Sequence, residues 1–171
     1  MTVFDATRIC FRKYFVFSGR AVRSEYWWFV LFVLVISTVL AGLDAALFGV
    51  DPETKEGRRV MAPVFQLGVA FPMLAAGWRR LQDTGRPGWY LLLPTGLGIM
   101  MVILLFSGLV VLSGFGPYAD TPDALTGPAG MLVVIGVGLV FALQLGLSIL
   151  MIWWLTRPSQ EGANDYGPAV V

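Results

Sequence analysis

Four stretches of this chain run without a charged side chain for long enough to cross a lipid bilayer, and little else about it constrains the fold as strongly. Tyr26 to Leu43 is uncharged for 18 residues and Val60 to Trp78 for 19, while Pro87 to Ala119 and Ala124 to Thr156 are each uncharged for 33. About 20 apolar residues, rising about 1.5 Å each as a helix, cross the hydrocarbon core. Inside that core every backbone N–H and C=O must find its partner within the protein, so each run reads as an α-helix. Composition agrees: 13% of the 171 residues are charged, about half the share of a soluble domain, and the mean hydropathy is +0.74. The expected fold is all-α: an integral membrane bundle of four transmembrane helices preceded by an interfacial segment. The chain divides into a cytoplasmic or interfacial segment (1–25), spans at about 26–47, 60–80, 88–113 and 130–155, and a cytoplasmic tail (156–171).

Residues 1–15 mix charges with apolar side chains and lack the clean apolar core of a signal peptide. Residues 4–17 alternate bulky apolar and basic side chains, which reads as a short helix in the headgroup region; a plain tether is the alternative. Lys and Arg set the expected orientation. With the N-terminus inside, Arg8, Arg12, Lys13, Arg20, Arg23, Arg79, Arg80, Arg86 and Arg157 lie inside, against Lys55, Arg58 and Arg59 outside. Nine against three places both termini in the cytoplasm. Tyr26-Trp27-Trp28, Trp78, Trp89-Tyr90 and Trp153-Trp154 then form an aromatic belt at the inner boundary. Gly114–Gly130, with Pro117, Pro122 and Pro128, reads as the outer loop between the last two spans. Small residues recur every four positions (Ser37, Ala41, Ala45; Gly138, Ala142, Gly146) and are expected to bring helices of one chain together, with a dimer interface as the alternative. Pro72 sits mid-span and removes one backbone donor.

Much chemistry is excluded. There is no histidine, which removes histidine triads, relays and metal sites, and the single cysteine, Cys10, precludes an internal disulfide. No basic arm or finger pattern points to nucleic acid, and neither a metal nor a cofactor is expected.

The informative residues flank the membrane. Ser18-Gly19-Arg20, Arg23 and Glu25-Tyr26-Trp27 precede the first span. Arg79-Arg80-Leu81, Asp83-Thr84-Gly85-Arg86 and Gly88-Trp89 lie between the second and third, and Asn164, Tyr166 and Gly167 mark the tail. Together these motifs resemble the small bacterial inner-membrane proteins of YhaH type, catalogued as domain of unknown function number 805, over nearly the whole chain. The resemblance implies a cytoplasmic-membrane protein and brings no activity. It also marks a departure: the position before the loop aspartate is commonly histidine in that family, and here it is Gln82.

Two readings of the cluster Arg20, Arg23, Glu25, Arg79, Arg80, Asp83 and Arg86 follow from physical chemistry. Helix N-termini beside arginine forks make an anion site at the depth of a lipid phosphate, with Glu25 and Asp83 orienting the arginines. Alternatively the same residues form a salt-bridge network that locks the inner loop to the N-terminal segment, and this structural reading is preferred. Either way the six residues Arg20, Arg23, Arg79, Arg80, Asp83 and Arg86 should converge. The leading functional class is a non-enzymatic interaction or accessory protein, with membrane lipids, a larger membrane complex or a second copy as partners. A small transporter or lipid-handling protein comes second, since no ionisable residue lies at mid-depth and Asp44, 19 residues beyond Glu25, falls about 28 Å along the helix, at the outer edge. An enzyme acting on lipid-linked substrates, with Glu25 and Asp83 as acid and base, ranks last.

Overall fold

The computed structural model describes residues 1–49, 59–114 and 128–168. The expected outer loops, around Asp51 to Glu56 and between Gly114 and Gly130, lie outside these residues apart from their edges. Among the described residues there are five α-helices and no strand: α1 (Val3–Arg12), α2 (Arg23–Phe48), α3 (Met61–Asp83), α4 (Leu92–Gly114) and α5 (Pro128–Thr156), with a 3₁₀ turn at Gly88–Leu91 before α4. Four stretches, Arg23–Phe48, Met61–Asp83, Gly88–Ser107 and Val134–Thr156, are long and apolar enough to cross a membrane. The chain divides into two compact units, Met1–Tyr90 with Trp154–Val171, and Leu91–Trp153.

The first unit is built on α1, α2 and α3. Helix α1 opens with a reciprocal cap: Thr2 Oγ1 accepts from the Asp5 N–H (3.3 Å) and the Asp5 carboxylate accepts from the Thr2 N–H (2.9 Å). Those hydrogen bonds hold the Asp5 carboxyl below its ordinary pKa. Ala6 and Cys10, one turn apart, are the buried residues of α1. Cys10 packs with Phe29 of α2 and Ala76 of α3, bordered by Tyr26, Phe32, Val33 and Met73. Burial, reinforced by the nearby Glu25 carboxylate, pushes the Cys10 thiol up to about 12. The N-terminal segment is therefore a helix seated on α2 and α3.

Proline would leave α3 with an unpaired carbonyl, because the residue at 72 has no N–H to give the oxygen of residue 68. The helix nevertheless runs unbroken from Met61 to Asp83. The Tyr14 hydroxyl, from the segment after α1, donates to Gly68 O at 2.6 Å and supplies that missing partner. Phe71 packs against Tyr14 (centroids 6.4 Å) and Phe15 (5.3 Å).

The start of α3 is closed by α2. Asp44 is fully buried and accepts the N–H groups of Val60 (3.1 Å), Met61 (2.9 Å) and Ala62 (3.0 Å). Pro63 has no N–H, and Val64 N–H bonds to Val60 O at 3.4 Å. Every donor that the first turn of a helix leaves over is thus accounted for, without a capping side chain of α3's own.

In the second unit, α4 and α5 show no amphipathic face, which suits helices bathed in lipid. Gln144 Nε2 donates to Pro94 O at 3.0 Å and ties the two helices. The spacing of Gly138, Ala142 and Gly146 suggested close packing within the chain; all three are exposed, and among the described residues a Cβ at Gly138 or Gly146 would meet nothing within 4 Å beyond its own helix backbone.

Candidate functional site, a buried arginine clasp

Helix α2 starts where α3 ends, so the residues flanking the two spans meet at one end of the pair. Asp83, the last residue of α3, is fully buried and carries an arginine on each carboxylate oxygen. Oδ1 accepts from Arg20 Nε at 2.8 Å, and Oδ2 accepts from Arg80 Nη1. The remaining nitrogens of both arginines point at the tail. Arg20 Nη1 donates to Gly162 O (2.6 Å) and Nη2 to Gln160 O (2.5 Å). Arg80 Nε donates to Leu155 O (3.1 Å), Nη1 also to Ala21 O (3.4 Å) and Nη2 to Arg157 O. Leu155 closes the last turn of α5, so the guanidinium of Arg80 lies against the negative end of that helix as well as the end of its own. One aspartate and two arginines therefore hold four chain segments: residues 20–21, the end of α3, the end of α5 and the tail.

A second pair lies beside the first. Arg79 Nη1 donates to Glu25 Oε1 at 2.7 Å and Nε to Ala75 O at 3.3 Å, with both residues buried. Glu25 occupies the first turn of α2, the favourable end for an acid, and Arg79 the last turns of α3, the favourable end for a base. A backbone bond, Ala21 N–H to Arg79 O at 3.2 Å, runs parallel to the ion pair. Arg79 Nη2 and Gln82 Oε1 are buried without a hydrogen-bond partner among the described residues.

The turn after α3 and the tail fit each other through backbone and glycine. Gln160 N–H donates to Asp83 O (3.0 Å), and Asn164 Nδ2 donates to Gln82 O (2.9 Å) and Gln160 Oε1 (3.2 Å). Gly85 adopts φ +75°, and a Cβ there would come within 2.6 Å of Gln160 Oε1. Gly88 is equally constrained: a Cβ would overlap the Trp78 indole. In the tail, Asn164 and Gly167 pair their backbones and Tyr166 N–H donates to Asn164 Oδ1 at 2.9 Å, so Asn164 shapes its own turn while gripping Gln82.

Of the cluster picked from sequence, Arg20, Glu25, Arg79, Arg80 and Asp83 come together and are buried. Arg23 is exposed at the start of α2. Arg86 is half-buried, donates to Thr84 O at 3.3 Å and stacks its guanidinium 4.9 Å from the centre of the Trp154 ring, which in turn stacks on Tyr90. Ser18-Gly19-Arg20 and Thr84-Gly85-Arg86 look alike, and both glycines have positive φ. Their arginines nonetheless end differently, one on a carboxylate and the other on an aromatic face. Sequence reasoning missed Ser159, Gln160 and Gly162 as partners of the arginines, and Tyr14 as partner of Gly68. Backbone acceptors leave no trace in a sequence, but a tyrosine before the first span and a proline inside the second together were a readable signal.

The family described as "Protein of unknown function (DUF805)" matches residues 14–168, a stretch that takes in both ion pairs and the tail turn. The chain belongs to that family. It is 32% identical over 111 residues to the inner membrane protein YhaH of Escherichia coli K12, covering 65% of this chain and 83% of that protein. It is 31% identical over 112 residues to the inner membrane protein YhaI of the same strain, covering 65% and 89%. No solved structure matches it. Four apolar spans and these relatives make it an integral membrane protein of the bacterial inner-membrane type.

Proposed function

We propose that this chain is a non-catalytic accessory protein of the inner membrane, and that its arginine cluster is an internal clasp presenting the N-terminal segment and the tail together on the cytoplasmic side. One observation carries this reading: all three nitrogens of Arg20 and of Arg80 donate to Asp83 or to acceptors of residues 21 and 155–162. Arginines so engaged offer no open fork to a phosphate. Both oxygens of Asp83 are occupied and Glu25 is paired, which removes the freedom an acid or base needs to exchange protons with a substrate. What the clasp produces instead is a fixed surface, made of segments distant in sequence, on which another membrane protein can assemble.

The test is purification of the full chain after mild solubilisation. A larger membrane partner is expected in stoichiometric amount, and its loss is expected with Asp83→Ala, which opens the clasp. Recovery of the intact protein alone, as monomer or homodimer, overturns the reading. Sidedness is tested separately in a Cys10→Ser background carrying Glu161→Cys. A membrane-impermeant maleimide should label the tail only after cells are broken, and labelling of intact cells would reverse the orientation.

A further inference from the structure

The geometry points to the outward surface of α1 and the segment after it as a docking surface for anionic phospholipid headgroups, in the leaflet that holds the clasp. Helix α1 turns Ala6 and Cys10 onto the bundle, and the opposite side is left uncovered. That side is neither plainly polar nor plainly apolar. Phe4 is 84% exposed and Phe15 65%, while Arg8, Arg12 and Lys13 stand exposed between them. The only acid on the helix, Asp5, is engaged in the cap with Thr2. Bulky aromatics interleaved with cations are what a headgroup layer accommodates, rings among the upper methylenes and charges at the phosphates.

Placement supports the same occupant. Cys10 packs beside Phe29 and Ala76, about one turn inward from Glu25 and Arg79 along α2 and α3. Phe15 continues sideways into Phe71 of α3, itself 50% exposed, so the aromatic surface of the segment joins the lipid-facing surface of a span. Three exposed cations on this segment, against one capped acid, are complementary to anionic lipid and not to a zwitterionic one. The lipid is therefore met outside the clasp, on residues with no part in it.

The experiment uses the full chain in nanodiscs of equimolar phosphatidylglycerol and phosphatidylcholine, with the lipids retained on release counted by native mass spectrometry. The unaltered chain should retain phosphatidylglycerol preferentially. Each cation near an anionic surface is worth about fivefold in binding. The triple variant Arg8→Gln, Arg12→Gln, Lys13→Gln should thus lower that preference by at least about tenfold. Arg23→Gln with Arg86→Gln should keep it, as should Arg8→Lys with Arg12→Lys, which preserves the charge. No preference in the unaltered chain, a preference surviving the triple variant, or its equal loss with Arg23 and Arg86 each overturns the proposal. So does a protein found bound to α1 and displaced by the triple variant. Clasp variants alter stability and assembly but not lipid selection, so this result and that of the assembly test fail independently.

Discussion

Helices α2 and α3 are fastened to each other at both ends by a carboxylate, and the two fastenings differ in what neutralises the charge. At one end Asp83 is met by two guanidinium groups, each of which also binds carbonyls of the distant tail. At the other, Asp44 is met by backbone N–H groups 16–18 residues away at the start of α3. The first arrangement unites segments up to 142 residues apart; the second joins only the two helices it lies between. A buried ion pair needs its whole constellation, because removing one partner strands the other charge. A carboxylate on a helix N-terminus exchanges solvent donors for backbone donors that were unsatisfied in any case.

That difference orders the expected effects of mutation. Asp83→Ala should be the most damaging change, leaving Arg20 and Arg80 buried without their acid, at about 3–5 kcal/mol. Unfolding by denaturing detergent reads this directly, and a loss under about 1 kcal/mol would mean the clasp end is as tolerant as the other. Asp44→Ala should cost about 1–3 kcal/mol and Asp44→Asn less, since the amide oxygen still accepts. Equal losses for Asn and Ala would assign Asp44's contribution to its charge and erase the contrast between the ends.

Between the ends, Tyr14→Phe should cost about 1 kcal/mol and speed hydrogen exchange in residues 14–20. The sharper form is a double-mutant cycle. Pro72→Ala restores the N–H that Gly68 O lacks, so Tyr14→Phe should cost markedly less in that background. Additive effects would show that the tyrosine and the proline are unconnected. Smallest is Arg86→Leu, which loses its stacking on Trp154 and should cost about 0.5–1 kcal/mol. An effect as large as that of Asp83→Ala would place Arg86 inside the clasp.

How far these features were legible in the sequence follows the same physics. The spans were readable because lipid demands long uncharged runs, and Asp44 could be placed at a helix end by counting residues at a fixed rise. Arg20, Glu25, Arg79, Arg80 and Asp83 were grouped in the sequence, together with Arg23 and Arg86, because all seven flank the same ends of the first three spans; their burial was not legible. Nor was their pairing: Arg80 takes Asp83 while its neighbour Arg79 takes Glu25, a choice made by the angular offset of successive residues on a helix. Arg23 and Arg86 looked equivalent to the others in sequence and differ only because one faces outward and the other meets an indole. The contributions of the tail are mostly backbone carbonyls, whose identity no side chain announces. The openness of Gly138, Ala142 and Gly146 was illegible for a related reason: small residues permit close approach but do not compel it.

The order in which the clasp's parts leave the ribosome gives it a consequence during synthesis. Arg20 and Arg80 are made long before residues 155–162, the carbonyls that complete their hydrogen bonding. A nascent chain that has made α2 and α3 already holds Asp83 between the two guanidinium groups, and water stands in for the tail carbonyls until they arrive. The clasp therefore closes only after residues 155–162 have been made, however early its arginines are in place.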